Sequence, residues 1–412
     1  MTRSKKSKGL ARRSSVGIDL ARKSRSEIIG ELASAFNQKN LTLYLGAGVS
    51  VGSGLPTWDR LVLAMYFSTM ADKTMKGWRP FPNYLYAIAE FHLKRGQEPL
   101  EITARKVRKF CPGERQLFDE LHRALYQAFV DPYSGQVEHP NVPELRSGNP
   151  TLDAVARLIE QGDWASKGVK SVITYNYDSL LETALTGFPH QPIFDGSGWD
   201  ATKLPIYHVH GFVPLSDADQ GSNGEEIVFT EDQYHLTAQD SYSWSNLVQI
   251  QAMSSSVGLM IGLSLSDRNM RRLLDAVGQA PVGARNYAIL NRPSWTSPKD
   301  YSLDEIHEKA IDYISRFTAS GVKPKYGTEE VMYSKPNVKS SRPDMKSVAG
   351  GPDDEPRYRY EIRGILKEVE RFDSEQQEDV LWQLGVQPIW YDDYQEIPQI
   401  IGEISGKAGG LA

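Results

Sequence analysis

Cysteine is almost absent from this chain: Cys111 is the only one among 412 residues. A single thiol excludes an internal disulfide framework and suits a reducing compartment. Long apolar runs are absent too. No stretch of 18 or more apolar residues occurs, so we expect no membrane span. The basic opening residues 1–6 are followed by no apolar segment, and we therefore expect no secretory signal and a cytoplasmic location.

Positive charge is concentrated at the start of the chain. Residues 1–25 hold nine lysines and arginines against one acid, whereas the whole chain has a net charge of -5. A basic tail of this kind can contact nucleic acid or an acidic neighbour. The alternative, which we favour, is a disordered end that only adds solubility. The acidic remainder argues against a dedicated DNA-binding domain, because duplex binding depends on neutralising phosphates.

The length is sufficient for one large α/β core with a smaller lobe. We assign the core to residues 26–404. Within it, residues 71–150 contain helical patterns and no strong strand, which predicts a helical lobe inserted into the core. Residues 322–357 are rich in Lys, Ser, Pro and Gly, so we expect a long disordered loop or, alternatively, an arm that contacts other subunits. Residues 405–412 are expected to form a flexible end.

The strongest local signal lies in residues 41–58. Five residues of buried-strand type, Leu41–Leu45, run directly into Gly46-Ala47-Gly48, and a hydroxyl follows at Ser50. A strand, a glycine turn and then a helix can bring backbone N–H groups up to a pyrophosphate. The alternative is that the glycines only let the strand turn tightly into the helix. The spacing also differs from the usual G-x-G-x-x-G pattern.

Three later segments repeat the order of short apolar strand and polar loop. The strand over 169–173 ends in Thr174–Asp178, the strand over 206–209 ends in His210-Gly211, and the apolar run over 257–263 ends in Ser264–Asp267. In an open parallel sheet, ligands bind beyond the carboxyl ends of the strands. We therefore expect these loops and the glycine turn to meet at one pocket.

These segments together resemble the signatures of the sirtuin superfamily. The matching segments are the opening signature (Gly46–Ser50 with Ser53–Pro56), the Thr-x-Asn-x-Asp motif (Thr174–Asp178), the catalytic His-Gly (His210-Gly211), the Gly-x-Ser (Gly262–Ser264) and the ribose-binding asparagine (Asn291). The resemblance implies an α/β fold with a Rossmann-like parallel sheet and an inserted helical lobe. It also implies a pocket for NAD+.

Two departures indicate which branch of the superfamily the chain resembles. Protein-deacylating sirtuins carry a zinc module of two Cys-x-x-Cys pairs, which a chain with one cysteine cannot form. Their signature continues Pro-Asp-Phe-Arg, where this chain has Pro56-Thr57-Trp58-Asp59. What remains is similar to the NAD-hydrolysing sirtuin-like effectors of bacterial anti-phage systems. We expect NAD+ as substrate, no zinc and no other metal.

The resemblance implies an NAD+ glycohydrolase that releases nicotinamide and ADP-ribose and depletes NAD+ during infection. The predicted catalytic residues are Asn176 for a ribose hydroxyl or the attacking water, His210 as general base, and Asp178 for the nicotinamide carboxamide. The predicted NAD-binding residues are Gly46, Ala47, Gly48, Ser50, Thr57, Gly262, Ser264 and Asn291, with Ser50 and the glycine-turn amides facing the phosphates. Alternatives are an NAD or ADP-ribose sensor, an NAD-dependent deacylase, and a nuclease component of a defence complex.

Several neighbouring residues also have structural interpretations. Asp178 can cap the helix that follows it, and we expect Asp267 to do the same for its own helix. His208 and His210 alternate in a strand, so we expect one to face the site and the other, His208, to pack or lie at the surface. Trp58 is expected to pack against the helical lobe. Tyr391–Tyr394 either lines the adenine end or only ends a strand.

Assembly is the last expectation. A constitutively active NADase would kill its host, and no regulatory domain of recognisable type accompanies the core. Repeating one subunit symmetrically lets a single surface serve every interface. We therefore expect a homo-oligomer larger than a dimer, with residues 1–25 or 322–357 contributing contacts. The resemblance also implies a hexameric DNA-translocating ATPase as a partner.

Overall fold

The computed structural model describes residues 22–74, 99–129, 140–163, 165–215, 227–240, 242–278, 285–293, 302–319 and 357–410, with a few positions between 87 and 95. Seven strands form one sheet: β1 (Leu41–Leu45), β2 (Val169–Thr174), β3 (His190–Ile193), β4 (Leu204–His208), β5 (Val257–Ile261), β6 (Arg285–Asn291) and β7 (Val386–Tyr391). Their order is β3-β4-β2-β1-β5-β6-β7, and every neighbouring pair is parallel.

Helices lie around this sheet. They are α1 (Arg25–Asn37), α2 (Trp58–Thr74), α3 (Leu100–Phe110), α4 (Glu114–Leu125), α5 (Val142–Gly148), α6 (Pro150–Glu160), α7 (Leu180–Ala184), α8 (Glu231–Gln239), α9 (Trp244–Ser255), α10 (Arg268–Gly278), α11 (Leu303–Ala319), α12 (Arg357–Gln383) and α13 (Glu396–Gly410). In the described part of the chain, no helix is long and apolar enough to cross a membrane.

Strand order places a crevice beside β1. The chain builds β2 and β4 on one side of β1 and then returns to build β5, β6 and β7 on the other. At such a reversal the loops that leave the two neighbouring strands separate, and ligands bind in the gap. This arrangement confirms the predicted α/β fold with a Rossmann-like parallel sheet, and it brings the loops after β1, β2, β4 and β5 to one edge.

Burial explains why the central strands are so apolar. All five residues of β1 are buried, because helices cover both faces of the sheet. The hydroxyl of Thr42 in this strand is satisfied by Ser171 and Ser256, whose hydroxyl oxygens lie 3.0 and 2.8 Å from Thr42 Oγ1, whereas the buried hydroxyl of Tyr44 has no hydrogen-bond partner among the described residues. The edge strand β3 escaped sequence prediction because it is short and polar and contains Pro192, which only an edge strand tolerates well.

The part of the predicted lobe that the structure describes is helical. The described residues of 71–150 contain helices α3, α4 and α5 and no strand. Helix α4 is amphipathic and buries Leu117, Leu121 and Leu125 on one face.

The C-terminal segment predicted to be flexible from residue 405 is instead helical to Gly410, because α13 packs against α1 and α6. Residues 1–21 and 320–356, which hold most of the predicted tail and arm, lie outside the described residues.

Candidate active site

The loops at the carboxyl edge enclose a cavity of about 1140 Å³. Most of the residues predicted to bind NAD+ or to act on it line this cavity: Gly46, Ala47, Gly48, Thr57, Asn176, His210, Gly262, Ser264 and Asn291. Two do not: Ser50 and Asp178 lie behind the cavity wall in a much smaller pocket. The four strand ends singled out in the sequence therefore surround one space.

The glycine turn is held by a second loop and presents fewer free amides than predicted. The N–H groups of Gly46 and Gly48 donate to the carbonyls of Ile261 and Gly262, each at 3.0 Å. A Cβ on Gly48 would lie 2.6 Å from the Cα of Gly262, which itself has a φ of +68°. Close packing of the two loops therefore requires these glycines. The prediction that the amides of the glycine turn face the phosphates is wrong for Gly46 and Gly48, because both amides donate to the protein itself.

Asn176 has a fixed amide orientation. Its Nδ2 donates to the carbonyl of Gly46 at 3.1 Å and to Ser50 Oγ at 3.2 Å. The Gly46 carbonyl can only accept, so the nitrogen must be the atom that faces it. Both amide hydrogens are thereby used, and Oδ1 is the remaining polar atom of a side chain that lines the cavity. Asn176 can thus offer a hydrogen-bond acceptor to a ligand.

Asp178 supports this arrangement from behind. Its carboxylate accepts from Ser50 Oγ at 2.9 Å and from the Leu180 N–H at 3.1 Å. Burial raises the pKa of Asp178 to about 6, although the Ser50 hydroxyl opposes that shift. The prediction that Asp178 meets the nicotinamide is corrected here, because Asp178 lies outside the cavity lining and its oxygens are bonded to the protein. Its place is behind Ser50, which positions Asn176.

His210 lies on the cavity wall and is held in the uncharged form by its surroundings. The residue is 7% exposed, and Tyr175 packs edge-on to its ring at 5.2 Å. Burial lowers the pKa of His210, while Asp267 and a hydrogen bond to the Tyr175 carbonyl act in the opposite direction. A neutral imidazole can accept a proton at neutral pH. His210 is therefore suited to act as a general base.

Asp267 is a site residue that sequence reasoning assigned only to a helix cap. It does cap α10, because its Oδ1 accepts from the Met270 N–H at 2.6 Å. Its other oxygen, Oδ2, lies 3.8 Å from His210 Nε2, and Asp267 lines the cavity. The signal was present in the sequence: Asp267 ends one of the strand-end loops predicted to converge, so a role beyond the cap could have been inferred.

His208 occupies a closed pocket instead of the cavity. It is fully buried, its Nε2 lies 2.8 Å from Glu182 Oε1, and its Nδ1 lies 3.2 Å from the main-chain carbonyl of Asn176. The prediction that His208 does not line the active cavity holds in the structure, but its reason was wrong. Residues two apart in a strand share a face, and the rings diverge because β4 ends at His208 and the chain then turns.

Aromatic side chains form part of the cavity wall. Tyr391 hydrogen-bonds the side chain of Asn291, and the Tyr394 hydroxyl donates to the carbonyl of Gly48. Both tyrosines line the cavity, with their rings at 81° and centroids 6.5 Å apart. Trp58, predicted to pack against the lobe, lines the cavity as well, and its buried Nε1 has no hydrogen-bond partner among the described residues. The aromatic rings suit a planar base.

Charged side chains also line the cavity. Arg268 lies 4.0 Å from both Glu101 and Glu231, so it bridges the helical lobe and the core. Burial and the nearby Glu101 raise the pKa of Asp59, which also lines the wall. Among the described residues, no group of three or more His, Cys, Asp or Glu side chains could hold a metal ion.

Comparison with known proteins agrees with the motifs. Residues 170–314 match the family model of the SIR2-like domain. The chain is 25% identical over 255 residues to Defense-associated sirtuin 2 of Bacillus subtilis, a match that covers 61% of this chain and 20% of that protein. The chain thus spans about a fifth of that relative's length. The predicted resemblance to the sirtuin superfamily is confirmed at the level of a SIR2-like domain.

A likeness to a solved structure was also found. A structure titled "Structural Basis for the Mechanism and Regulation of Sir2 Enzymes" matches 66% of this chain and 90% of its own, with 19% identity and a TM-score of 0.32.

Proposed function

We propose that the chain is an NAD+ glycohydrolase, which cleaves the bond between nicotinamide and ribose and transfers the ADP-ribosyl group to water. One observation carries the proposal: Asn176, whose Oδ1 accepts no hydrogen bond from the described residues, and His210, whose pKa is lowered by burial, line the same cavity beside the glycine turn. The cavity volume of about 1140 Å³ exceeds that of most drug-sized ligand pockets and is suited to a dinucleotide.

In the proposed reaction, Asn176 orients the reactants, His210 accepts a proton and Asp267 stabilises the charge that forms on His210. Nicotinamide leaves as a neutral molecule with the electrons of the glycosidic bond, and the ribose carbon becomes oxocarbenium-like. The Oδ1 of Asn176 accepts a hydrogen bond from the incoming water or from a ribose hydroxyl and so fixes its direction. The oxygen of the water bonds to the ribose carbon, His210 takes the proton that this water loses, and Asp267 stabilises the imidazolium that forms. The products are nicotinamide, ADP-ribose and a proton.

Hydrolysis is favoured over protein deacylation by the residues at the cavity wall. The position after Pro56 bears Thr57 and Trp58 instead of the charged pattern of deacylating sirtuins, and a single cysteine cannot build their zinc module. The relative from Bacillus subtilis is described as defence-associated. We propose by extension that NAD+ depletion by this chain serves antiviral defence in the cytoplasm.

Incubation of the purified full chain with NAD+ tests the proposal directly. We expect free nicotinamide and ADP-ribose in equal amounts, with no requirement for an acylated peptide. Release that occurs only with the acylated peptide would replace hydrolysis by deacylation. Tight binding of NAD+ or ADP-ribose without release would identify a sensor.

The assembly implied by the resemblance also stays a proposal. We propose a homo-oligomer larger than a dimer, which works with a hexameric DNA-translocating ATPase. Light scattering on the full chain measures the first part, and a monomer with constitutive NAD+ hydrolysis would contradict it. Co-purification with an ATPase encoded beside it would measure the second.

A further inference from the structure

Helix α12 carries large apolar side chains on its outer face. Ile365, Val369, Phe372 and Val380 are 63%, 38%, 61% and 55% exposed. Their spacing of four, three and eight residues places them along one side of the helix. Several exposed apolar side chains on one face indicate a contact surface more often than a single exposed apolar side chain does.

The same stretch of helix is strongly acidic. Residues 368–379 contain six carboxylates and a single base, Arg371. Arg371 lies 2.9 Å from Glu368 and 3.4 Å from Glu375, whose side chains remain largely exposed. Further along, Glu378 and Asp379 pair with Arg22. Five net negative charges beside an apolar stripe select a partner that is both basic and apolar.

The start of this chain has the complementary composition. Residues 1–21 hold six lysines and arginines against one acid, together with Leu10, Val16, Ile18 and Leu20. These residues lie outside the described part of the structure, but the residue that follows them does not. Arg22 contacts α12, and its Nη1 lies 3.1 Å from Glu378 Oε2. The basic segment therefore joins the described chain at the acidic helix.

We propose that residues 1–21 dock along the outer face of α12, from Asp379 towards Ile365. That distance is fourteen helical residues, or about 21 Å, whereas 21 residues span about 30 Å as a helix and up to about 70 Å when extended. The segment is therefore long enough in any conformation. Its lysines and arginines face the carboxylates of residues 368–379, and its apolar residues cover Phe372 and its neighbours.

This position is adjacent to the candidate active site. Gln377 of α12 lines the cavity, and Glu378 accepts from the Trp390 Nε1–H at 2.6 Å, one residue before Tyr391, which also lines the cavity. The docked segment would lie on the outside of a helix whose inner side forms the cavity wall. The proposal does not depend on NAD+ hydrolysis and can be tested without it.

Cross-linking in the full-length chain tests the docking. The only native cysteine, Cys111, is buried, so the pair Ser15→Cys and Gln376→Cys adds two reactive thiols. A flexible bismaleimide should join them within one chain, seen as a monomer with altered mobility and confirmed by peptide mass spectrometry. The control pairs Ser15→Cys with Gln116→Cys, an exposed glutamine on α4, and should cross-link at least about tenfold more slowly.

Each outcome is decisive. A cross-linked dimer as the main product would overturn docking within one chain and make α12 a contact between copies. Equal rates for the two cysteine pairs would show that the segment has no preferred site and would also overturn the proposal.

A second variant tests whether the cross-link depends on the negative charge of α12 or only on the reach of the N-terminal segment. Reversing two carboxylates, Glu368→Lys with Glu375→Lys, should slow the cross-link by about five- to tenfold, because each exposed pair contributes up to about 1 kcal/mol. High salt should act in the same direction by screening. A single reversal away from α12, Asp119→Lys on α4, should leave the rate unchanged. An unchanged rate in the double reversal, with unfolding temperature preserved, would rule out the acidic helix as the docking site.

Discussion

Two histidines lie two residues apart and have opposite surroundings. His210 lines a cavity of about 1140 Å³ and faces Asp267 across 3.8 Å. His208 is fully buried in a pocket of about 10 Å³, with one ring nitrogen on Glu182 and the other on the Asn176 carbonyl. The two residues are of the same type, so their place in the chain makes the difference. His208 is the last residue of β4, whereas His210 lies in the loop that follows and lines the cavity.

The small pocket still bears on the large one through Asn176. Ser50 and Asp178 orient its side chain, and His208 contacts its main chain. The cavity therefore holds the groups that can touch a ligand, whereas the closed pocket holds groups that keep those atoms in place. The following predictions test this division, starting with the largest expected effect on turnover.

Removing either cavity residue should abolish the reaction. We expect His210→Ala and Asn176→Ala each to lower nicotinamide release by at least about a hundredfold, the usual lower range for loss of a general base. Measurement requires nicotinamide release and an unfolding curve for each variant. Near wild-type turnover in either folded variant would remove that residue from the catalytic role.

Asp267→Asn should have an intermediate effect. Asparagine can still cap α10, but it removes the negative charge beside His210. Since Asp267 raises the pKa of His210, its loss should move the acid limb of the pH–rate profile to lower pH and lower turnover by about tenfold. A limb that does not move, or that moves to higher pH, would separate Asp267 from the base. Asp275→Asn, on the same helix, provides the control.

The sequence was sufficient for the four neighbouring strands β4, β2, β1 and β5 and for the outline of the cavity, because both depend on local patterns. Apolar strands that end in polar loops define where parallel strands meet a ligand, and these placed Asn176, His210 and Gly262 correctly around one space. The sequence could not show hydrogen bonds between distant segments. Whether Ser50 faces a phosphate or Asp178 depends on two loops 128 residues apart. The same holds for the pairing of Glu182 with His208.

His208→Ala should affect stability more than turnover. The ring does not line the cavity, so we expect nicotinamide release within about tenfold of wild type. Its removal leaves Glu182, whose side chain is only 10% exposed, without its partner, and breaking a largely buried pair in this way typically costs up to about 3–5 kcal/mol of folding free energy. Denaturant unfolding measures that loss. His208→Gln, which can donate to Glu182, should recover part of the stability. A loss of activity as deep as that of His210→Ala, in a folded variant, would reverse the roles of the two histidines.

The smallest expected effect is a pH dependence of stability from Asp178. Its pKa is raised to about 6 in the folded chain, against an ordinary value near 3.9 when unfolded. The folded state therefore holds a proton that the unfolded state has already lost. Between about pH 4 and pH 6 the wild type should lose stability as the pH rises, by up to about 3 kcal/mol in total. Asp178→Asn has no proton to lose and should lack this step.

The measurement is the free energy of unfolding of both proteins at several values from pH 4 to pH 7, and the difference between their slopes isolates this carboxyl from all others. Parallel slopes would show that Asp178 titrates normally, and the closed pocket would then be more hydrated than its burial indicates.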